Sequence, residues 1–153
     1  MQKIKILLVD DEEKFVKTLS DRIQLRDQTS NIALNGEQAL KSVDEDLPDV
    51  MVLDLKMPGM DGLEVLRRVK KANPEIQVII LTGRGTEKDE KEARRLGAFE
   101  YLQKPVEIET LMQHIRRAFK SKVESSMAAA TFAEAGDFNS AKEIMDLEEE
   151  KNK

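Results

Sequence analysis

Short apolar segments alternate with amphipathic stretches over the first 120 residues of the chain. Five segments, most of them rich in Val, Ile and Leu, are typical of buried strands in a parallel sheet: residues 4–9, 31–34, 50–53, 77–82 and 99–102. Apolar residues recur at helical spacing in the stretches that follow: residues 13–25, 37–43, 63–73, 88–96 and 107–119. This alternation predicts an α/β fold, a doubly wound five-stranded parallel sheet with right-handed crossovers.

The pattern changes towards the C-terminal end. Residues 121–126 are polar and indicate a join, which an Ala-rich helix over Met127–Ala135 follows. A Gly–Asp pair suited to helix ends then leads into a second helix that reaches about Glu149. We therefore divide the chain into a domain of residues 1–120 and an acidic helical hairpin of residues 121–153. The hairpin resembles one tetratricopeptide-type unit, which cannot bury its own apolar face, so we expect it to pack on the first domain or on a second copy.

Acidic residues directly follow two of the predicted strands. The pair Asp10–Asp11 closes the first strand, and Asp54 closes the third. Because neighbouring parallel strands end at one edge of the sheet, the three carboxylates should lie close together and repel one another unless a cation lies among them. Oxygen ligands with open positions suit Mg²⁺, which keeps waters and can recruit a phosphate oxygen. The pattern predicts a magnesium site that handles phosphate.

Two further polar residues fall at the same predicted edge. Thr82 ends the fourth strand, and Lys104 follows the fifth. A carboxylate nucleophile, a divalent metal, a hydroxyl and an ammonium are the groups that phosphoryl transfer to a side chain needs. Each residue also has a simpler interpretation, because an acidic pair often caps a helix, and a carboxylate or lysine at a strand end is often only solvated.

Four segments carry a resemblance to a known family. They are Leu8–Val9–Asp10–Asp11–Glu12, Leu53–Asp54–Leu55–Lys56–Met57–Pro58–Gly59–Met60–Asp61–Gly62, Leu81–Thr82–Gly83 and Tyr101–Leu102–Gln103–Lys104–Pro105. In this order, over about residues 3–119, they resemble the receiver domain of bacterial two-component response regulators. The resemblance implies the flavodoxin-like strand order 2-1-3-4-5 and phosphorylation by a sensor histidine kinase.

The resemblance also implies a role for each acidic residue. Asp54 is the expected phosphoacceptor, which attacks a phosphoryl donor in line and forms an acyl phosphate. Asp11, supported by Asp10, would bind Mg²⁺ beside Asp54. The backbone carbonyl of Lys56, two residues after the acceptor, would supply a further ligand.

A conformational switch is the next implication of the resemblance. Lys104 would pair with Asp54 before phosphorylation and with the phosphoryl oxygens afterwards, and the peptide bond between Lys104 and Pro105 would be cis. Thr82 would move towards the phosphoryl group while the ring of Tyr101 rotates inward. Tyr101 as an ordinary half-exposed core residue is the competing interpretation.

Several positions depart from the common family pattern. Lys56 and Arg84 lie where the family tunes the lifetime of the acyl phosphate, and two cations there could either stabilise the phosphorylated state or impede water. Glu100 matches a charged pattern found in relatives that dimerise through the fourth and fifth helices. His114 stands where an Arg is usual in that pattern, so a homodimer of this kind stays an open expectation.

Composition and charge limit the expected cellular location of the protein and the classes of partner that it can bind. The chain has no Cys, no apolar stretch near the ~20 residues of a membrane span, and a strand at its start, which together predict a cytoplasmic protein without a membrane segment. Formal net charge is −5, and residues 121–153 hold four Lys against eight Asp and Glu. An acidic tail has the wrong sign for nucleic-acid phosphates, so we expect no nucleic-acid binding.

These observations predict a response regulator that accepts a phosphoryl group on Asp54 and switches a surface for an unknown downstream protein. We expect no enzyme activity beyond its own phosphorylation and slow dephosphorylation. Aspartate-nucleophile phosphatases combine similar groups, but they place a second acid two residues after the nucleophile, where this chain has Lys56. The remaining alternatives are an adaptor whose helical tail carries the function and a fragment of a longer regulator.

Overall fold

A computed structural model describes residues 3–134 of the chain, with the side chains of residues 3–127. Five parallel strands form one sheet in the order β2-β1-β3-β4-β5. The strands are β1 (Lys5–Val9), β2 (Thr29–Ala33), β3 (Val50–Leu53), β4 (Gln77–Thr82) and β5 (Glu100–Gln103). The predicted α/β class and strand order are confirmed.

A helix follows each strand. The helices are α1 (Glu13–Gln24), α2 (Gly36–Glu45), α3 (Gly62–Ala72), α4 (Glu87–Arg95) and α5 (Ile108–Glu134). Their starts follow local chemistry, since Asn35, Asp61 and Thr86 each accept a hydrogen bond from the backbone N–H three residues later. Asn73 caps the end of α3 before a proline, as the sequence predicts.

The sheet is buried on both faces, which explains the nearly continuous apolar strands. On one face, α2, α3 and α4 pack against Leu7, Val9, Met51, Leu53, Val78 and Ile80. On the other face, α1 and the first turns of α5 pack against Ile6, Leu8, Val50, Val52, Ile79 and Leu81. Successive residues of each strand therefore enter different cores, as the two-residue period of a strand requires.

Strand β2 begins two residues earlier than the sequence predicts. Its register pairs Thr29 with Lys5 and Ser30 with Ile6, so polar residues open the strand. Ser30 is buried because its hydroxyl shares a hydrogen bond with that of Ser20 on α1. Because β2 begins with polar residues, its first two residues cannot be predicted from the pattern of apolar residues.

The polar segment 121–126 is helical, and the prediction of a join there is wrong. Helix α5 continues through it to Glu134. The segment holds neither Gly nor Pro, and Lys120 lies 3.9 Å from Glu124 one helical turn away, a spacing that favours helix. The predicted second helix to about Glu149 lies outside the described residues, and the division into domains stays a prediction. No helix within residues 3–134 is long and apolar enough to cross a bilayer.

Candidate functional site

Two buried carboxylates lie at the carboxyl edge of the sheet. Asp10 and Asp54 directly follow the paired ends of β1 and β3, and each is 4% exposed. Backbone hydrogen bonds hold both positions: the Asp54 N–H donates to the carbonyl of Val9 at 2.9 Å, and the Asp10 N–H donates to that of Ala33 at 3.1 Å. The register of the central strands therefore places these carboxylates side by side, as their positions in the sequence predict.

Lys104 reaches into this acidic pair from the end of β5. Its ammonium donates to Asp10 Oδ2 at 2.6 Å and to Glu12 Oε1 at 3.1 Å, and it lies 3.9 Å from Asp54 Oδ2. The ring centroid of Phe15 lies 4.3 Å from the same nitrogen. The Lys104–Pro105 peptide bond is cis.

Burial and charge act against each other at this ion pair. Burial raises the pKa of Asp10, although the hydrogen bonds from Lys104 and from the Glu12 N–H oppose the shift. For Lys104, burial lowers the pKa, but hydrogen bonds to Asp10 and Glu12 and the charge of Asp54 outweigh it, so its pKa is raised. The ammonium stays protonated at neutral pH and serves as an internal counter-ion to the carboxylates.

The carboxylate group that forms differs from the predicted one. Within the described residues, oxygens of Asp10, Glu12 and Asp54 lie within 4.8 Å of one another, and Asp11 is not in that group. Sequence reasoning missed Glu12, although it directly follows the acidic pair. Asp11 instead faces a depression that Lys56 and other residues line, and its buried Oδ1 has no hydrogen-bond partner within the described part of the chain.

This donor set fits a hard divalent cation. Carboxylate oxygens alone make up the group, which is the ligand chemistry of Mg²⁺. Asp11 lies between Asp10 and Glu12 in the sequence, and its Oδ1 is buried without a hydrogen-bond partner in the described part of the chain. Such an oxygen destabilises the fold unless a cation or a hydrogen-bond donor binds it. The carbonyl of Lys56 stays a predicted ligand.

Thr82 ends β4 at the same edge and is fully buried. Its carbonyl accepts the backbone N–H of Lys104 at 3.0 Å, so the two predicted residues share a direct hydrogen bond between neighbouring strand ends. Its hydroxyl has no hydrogen-bond partner among the described residues. The Thr82 side chain therefore retains full capacity to bind an added oxygen.

Tyr101 points inward and is 8% exposed. Its hydroxyl is buried without a hydrogen-bond partner in the described region, and burial, aided by the charges of Asp89 and Glu90, raises its pKa. A Cβ atom built at Gly85 would overlap this hydroxyl and would lie 2.9 Å from Thr82 Cγ2. The absence of a side chain at Gly85 is thus what lets the ring lie next to Thr82.

A salt bridge connects the loop after Asp54 to α4. The Lys56 ammonium lies 3.2 Å from Asp89 Oδ2, and Asp89 also accepts the Thr86 N–H as part of the capping box that starts α4. Its hydrogen bond from Thr86 and the nearby Lys56 hold the pKa of Asp89 below its usual value, although burial opposes the shift. The sequence places Lys56 two residues after Asp54 but does not reveal this partner, which is 33 positions away.

Gly62 packs against the backbone of Asp54. A Cβ atom at Gly62 would overlap the backbone carbonyl of Asp54, and the Gly62 N–H donates to Leu55 O at 2.8 Å. The loop between β3 and α3 is therefore closed tightly against the residue that carries the carboxylate.

Glu100 and His114, the residues of the expected dimer pattern, both have intermediate exposure. Glu100 accepts a hydrogen bond from Arg94 at 3.0 Å, and the His114 Nδ1 is buried without a partner in the described region. Glu100 therefore pairs within its own chain, and the structure leaves the homodimer as a prediction.

Comparison with known proteins agrees with this geometry. Over residues 6–116 the chain matches the model of the response regulator receiver domain. The chain belongs to this family. The resemblance drawn from the four motifs is therefore confirmed.

This chain is similar to several known proteins over most of its length. It is 36% identical over 132 residues to the uncharacterized transcriptional regulatory protein YkoG of Bacillus subtilis, which covers 86% of this chain and 58% of that protein. Sporulation initiation phosphotransferase F of the same species is 36% identical over 117 residues, 76% of this chain and 94% of that protein. A receiver domain structure from Clostridium thermocellum superposes with a TM-score of 0.74 at 35% identity, covering 78% of this chain and 96% of that one. The chain thus spans a little over half of YkoG.

Proposed function

We propose that this receiver domain accepts a phosphoryl group on Asp54 from a histidine kinase in a Mg²⁺-dependent reaction. The observation that carries the proposal is the buried Asp54 carboxylate with the Lys104 ammonium 3.9 Å away and two further carboxylates beside it. The three carboxylates already exceed the single positive charge of Lys104. A dianionic phosphoryl group can therefore bind there only together with a further cation such as Mg²⁺.

The transfer uses groups already aligned at the sheet edge. A carboxylate oxygen of Asp54 attacks the phosphorus of a phosphohistidine, a P–O bond forms, and the P–N bond breaks with its electron pair passing to the imidazole nitrogen. Asp10 and Asp54, with Asp11 and Glu12 beside them, would hold Mg²⁺, which when bound neutralises charge on the phosphoryl oxygens. Lys104 pairs with one of those oxygens, and the unpartnered Thr82 hydroxyl donates to another.

The output of the domain is a change in a protein-binding surface. In this proposal Thr82 moves when its hydroxyl donates a hydrogen bond to the phosphoryl group. Because Thr82 and Tyr101 both lie close to Gly85, this movement also shifts the segment that leads into α4. The downstream partner in this proposal is a protein, and the domain is not an enzyme towards other substrates. A cytoplasmic location stays a prediction from the sequence.

Intact-protein mass after incubation with acetyl phosphate tests the proposal. We expect one added phosphoryl group on the native chain with Mg²⁺, and none after Mg²⁺ removal or in Asp54→Asn, which keeps the shape but loses the nucleophile. Asp49→Asn makes the same chemical change directly before β3, at the end of that strand opposite the acceptor. It is the matched control and should phosphorylate like the native chain.

No adduct on a folded, Mg²⁺-binding native chain would reject the proposal and favour the adaptor hypothesis. An adduct that persists in Asp54→Asn would place the acceptor elsewhere.

A further inference from the structure

The ring of Phe15 covers one side of the Lys104 ammonium. Phe15 lies in the first turn of α1, is half-buried, and packs against the core beneath that helix. Its ring centroid is 4.3 Å from Lys104 Nζ, well inside the range in which a ring face attracts a cation. This contact appears in none of the motifs that identify the family.

The ring differs in kind from the other contacts of Lys104. Asp10, Glu12 and Asp54 all lie within 3.9 Å of the ammonium, and the same three carboxylates form the oxygen group suited to a divalent cation. A hard cation that binds these carboxylates competes with Lys104 for their oxygens, whereas a phenyl ring is no ligand for it. Of the contacts described for Lys104, the ring is the one that a metal ion does not compete for.

We propose that Phe15 is a positioning residue that retains the Lys104 ammonium at the acceptor while the carboxylates are engaged by metal. The inference rests on the proposed function of Asp54 and adds the residue that keeps its cationic partner in place. The competing interpretation is that Phe15 only fills the core, where its size would matter and the charge distribution of its ring would not.

Stepwise fluorination of the Phe15 ring separates these interpretations. Ring fluorines withdraw electron density from the face that meets the cation and leave the shape nearly unchanged. Phe99, half-buried in the same core but at the opposite end of β5 from Lys104, is the matched control position. Phe15→Leu removes the ring, and Phe15→Tyr keeps it.

The first readout is independent of phosphoryl transfer. In NMR spectra recorded with saturating Mg²⁺ and no phosphodonor, we expect the Lys104 side-chain resonances of the native chain to keep the ring-current shift that Phe15→Leu abolishes and Phe15→Tyr retains. A native shift that disappears when Mg²⁺ is added would overturn the inference, whether or not Asp54 accepts phosphate.

The second readout is the rate of phosphoryl uptake from acetyl phosphate with Mg²⁺. We expect the rate to fall progressively with each fluorine at Phe15, by roughly two- to tenfold for the trifluorinated ring, and to stay constant for the Phe99 series. Equal rates throughout the Phe15 series on a phosphorylatable chain would overturn the inference. A native chain that accepts no phosphate rejects the proposed function instead, and the NMR result then decides the inference alone.

Discussion

Three polar atoms at the sheet edge are buried without partners among the described residues: Asp11 Oδ1, the Thr82 hydroxyl and the Tyr101 hydroxyl. Each orphaned group of this kind costs about 1–3 kcal/mol of stability, so a domain that only needed to fold would have replaced it with an apolar residue. Asp11 and Thr82 lie at the ends of β1 and β4, the two strands that flank β3, so under the proposed function a cation and a phosphoryl group would supply their missing partners.

Gly85 controls whether Tyr101 can lie inward. In Gly85→Ala the new Cβ overlaps the Tyr101 hydroxyl, so we expect the ring to move out towards solvent. Tyr101 is the only Tyr and the chain has no Trp, so its fluorescence reports its position directly. We expect acrylamide to quench this fluorescence more strongly in the variant than in the native chain.

Gly83→Ala is the matched control, because a Cβ there makes only ordinary contacts with the Lys104 side chain, the nearest at 3.7 Å. It should leave the quenching of Tyr101 at its native level. Equal quenching in Gly85→Ala and the native chain would show that the ring does not depend on the space at Gly85.

Four of the site residues that the sequence predicts have positions that depend only on strand ends. Asp10, Asp54, Thr82 and Lys104 each follow or end a strand, so parallel topology alone brings them together. The contacts of Glu12 and Phe15 with Lys104 depend on where α1 begins and how it crosses the sheet. The pattern of apolar residues in the strands does not predict how α1 is placed, so neither the Glu12 contact nor the Phe15 contact could be predicted from it.

At the scale of elements, the first turn of α4 contains a residue that also contacts the loop after Asp54. Asp89 closes the capping box with Thr86 and pairs with Lys56, so the start of this helix is connected to the chain two residues after Asp54. Any movement of that loop on phosphorylation changes one of the bonds that stabilise the first turn of α4.

Removing the Asp89 side chain should destabilise the first turn of α4 more than removing the Lys56 ammonium. Asp89→Ala removes the salt bridge and also the carboxylate that accepts the Thr86 N–H, at a cost of about 1 kcal/mol. Lys56→Met removes only a partly exposed ion pair, which is worth about 0.2–1 kcal/mol. We expect amide hydrogen exchange in the first turn to accelerate in both variants and more in Asp89→Ala.

Lys91→Met, a change at an exposed position of the same helix, is the control and should leave that exchange unchanged. If Lys56→Met also leaves it unchanged, the salt bridge makes no contribution to the start of α4.

Helix α5 shows where sequence patterns fail at this scale. The change of composition after residue 119 suggested a join, but composition predicts a break only where Gly, Pro or strong turn residues stand. Residues 121–126 hold Ser, Lys, Val and Glu, which tolerate helix, and a helix that is already formed extends through them at little cost.

For the whole molecule, the burial of Asp10 links stability to pH and to metal. Its pKa in the folded state is raised, so the folded protein binds a proton more tightly than the unfolded chain does, and the contribution of Asp10 to stability falls as pH rises from about 3.8 through the folded pKa. Above that pKa the ionised carboxylate is costly in the fold unless a cation compensates it.

We therefore expect Mg²⁺ to increase the free energy of unfolding more at pH 7.5 than at pH 4.5, because protons compete with the metal at low pH. At 100 times its dissociation constant the gain is about 2.7 kcal/mol. Urea unfolding with Mg²⁺ or with a chelator measures it. With a chelator present, the free energy of unfolding of Asp10→Asn should increase relative to that of the native chain as pH rises. If the difference between the two free energies does not vary with pH, the raised pKa of Asp10 is contradicted.

The Lys104–Asp10 contact joins residues 94 positions apart, on strands with β3 and β4 between them. During synthesis the acidic residues therefore emerge long before their cation, and no partial chain that lacks β5 contains a complete acceptor. Under the proposed function, the site for the phosphoryl group is complete only once the last strand of the sheet is present. Under the proposed function, a histidine kinase that requires the complete edge would therefore not phosphorylate a chain whose last strand has not yet been added.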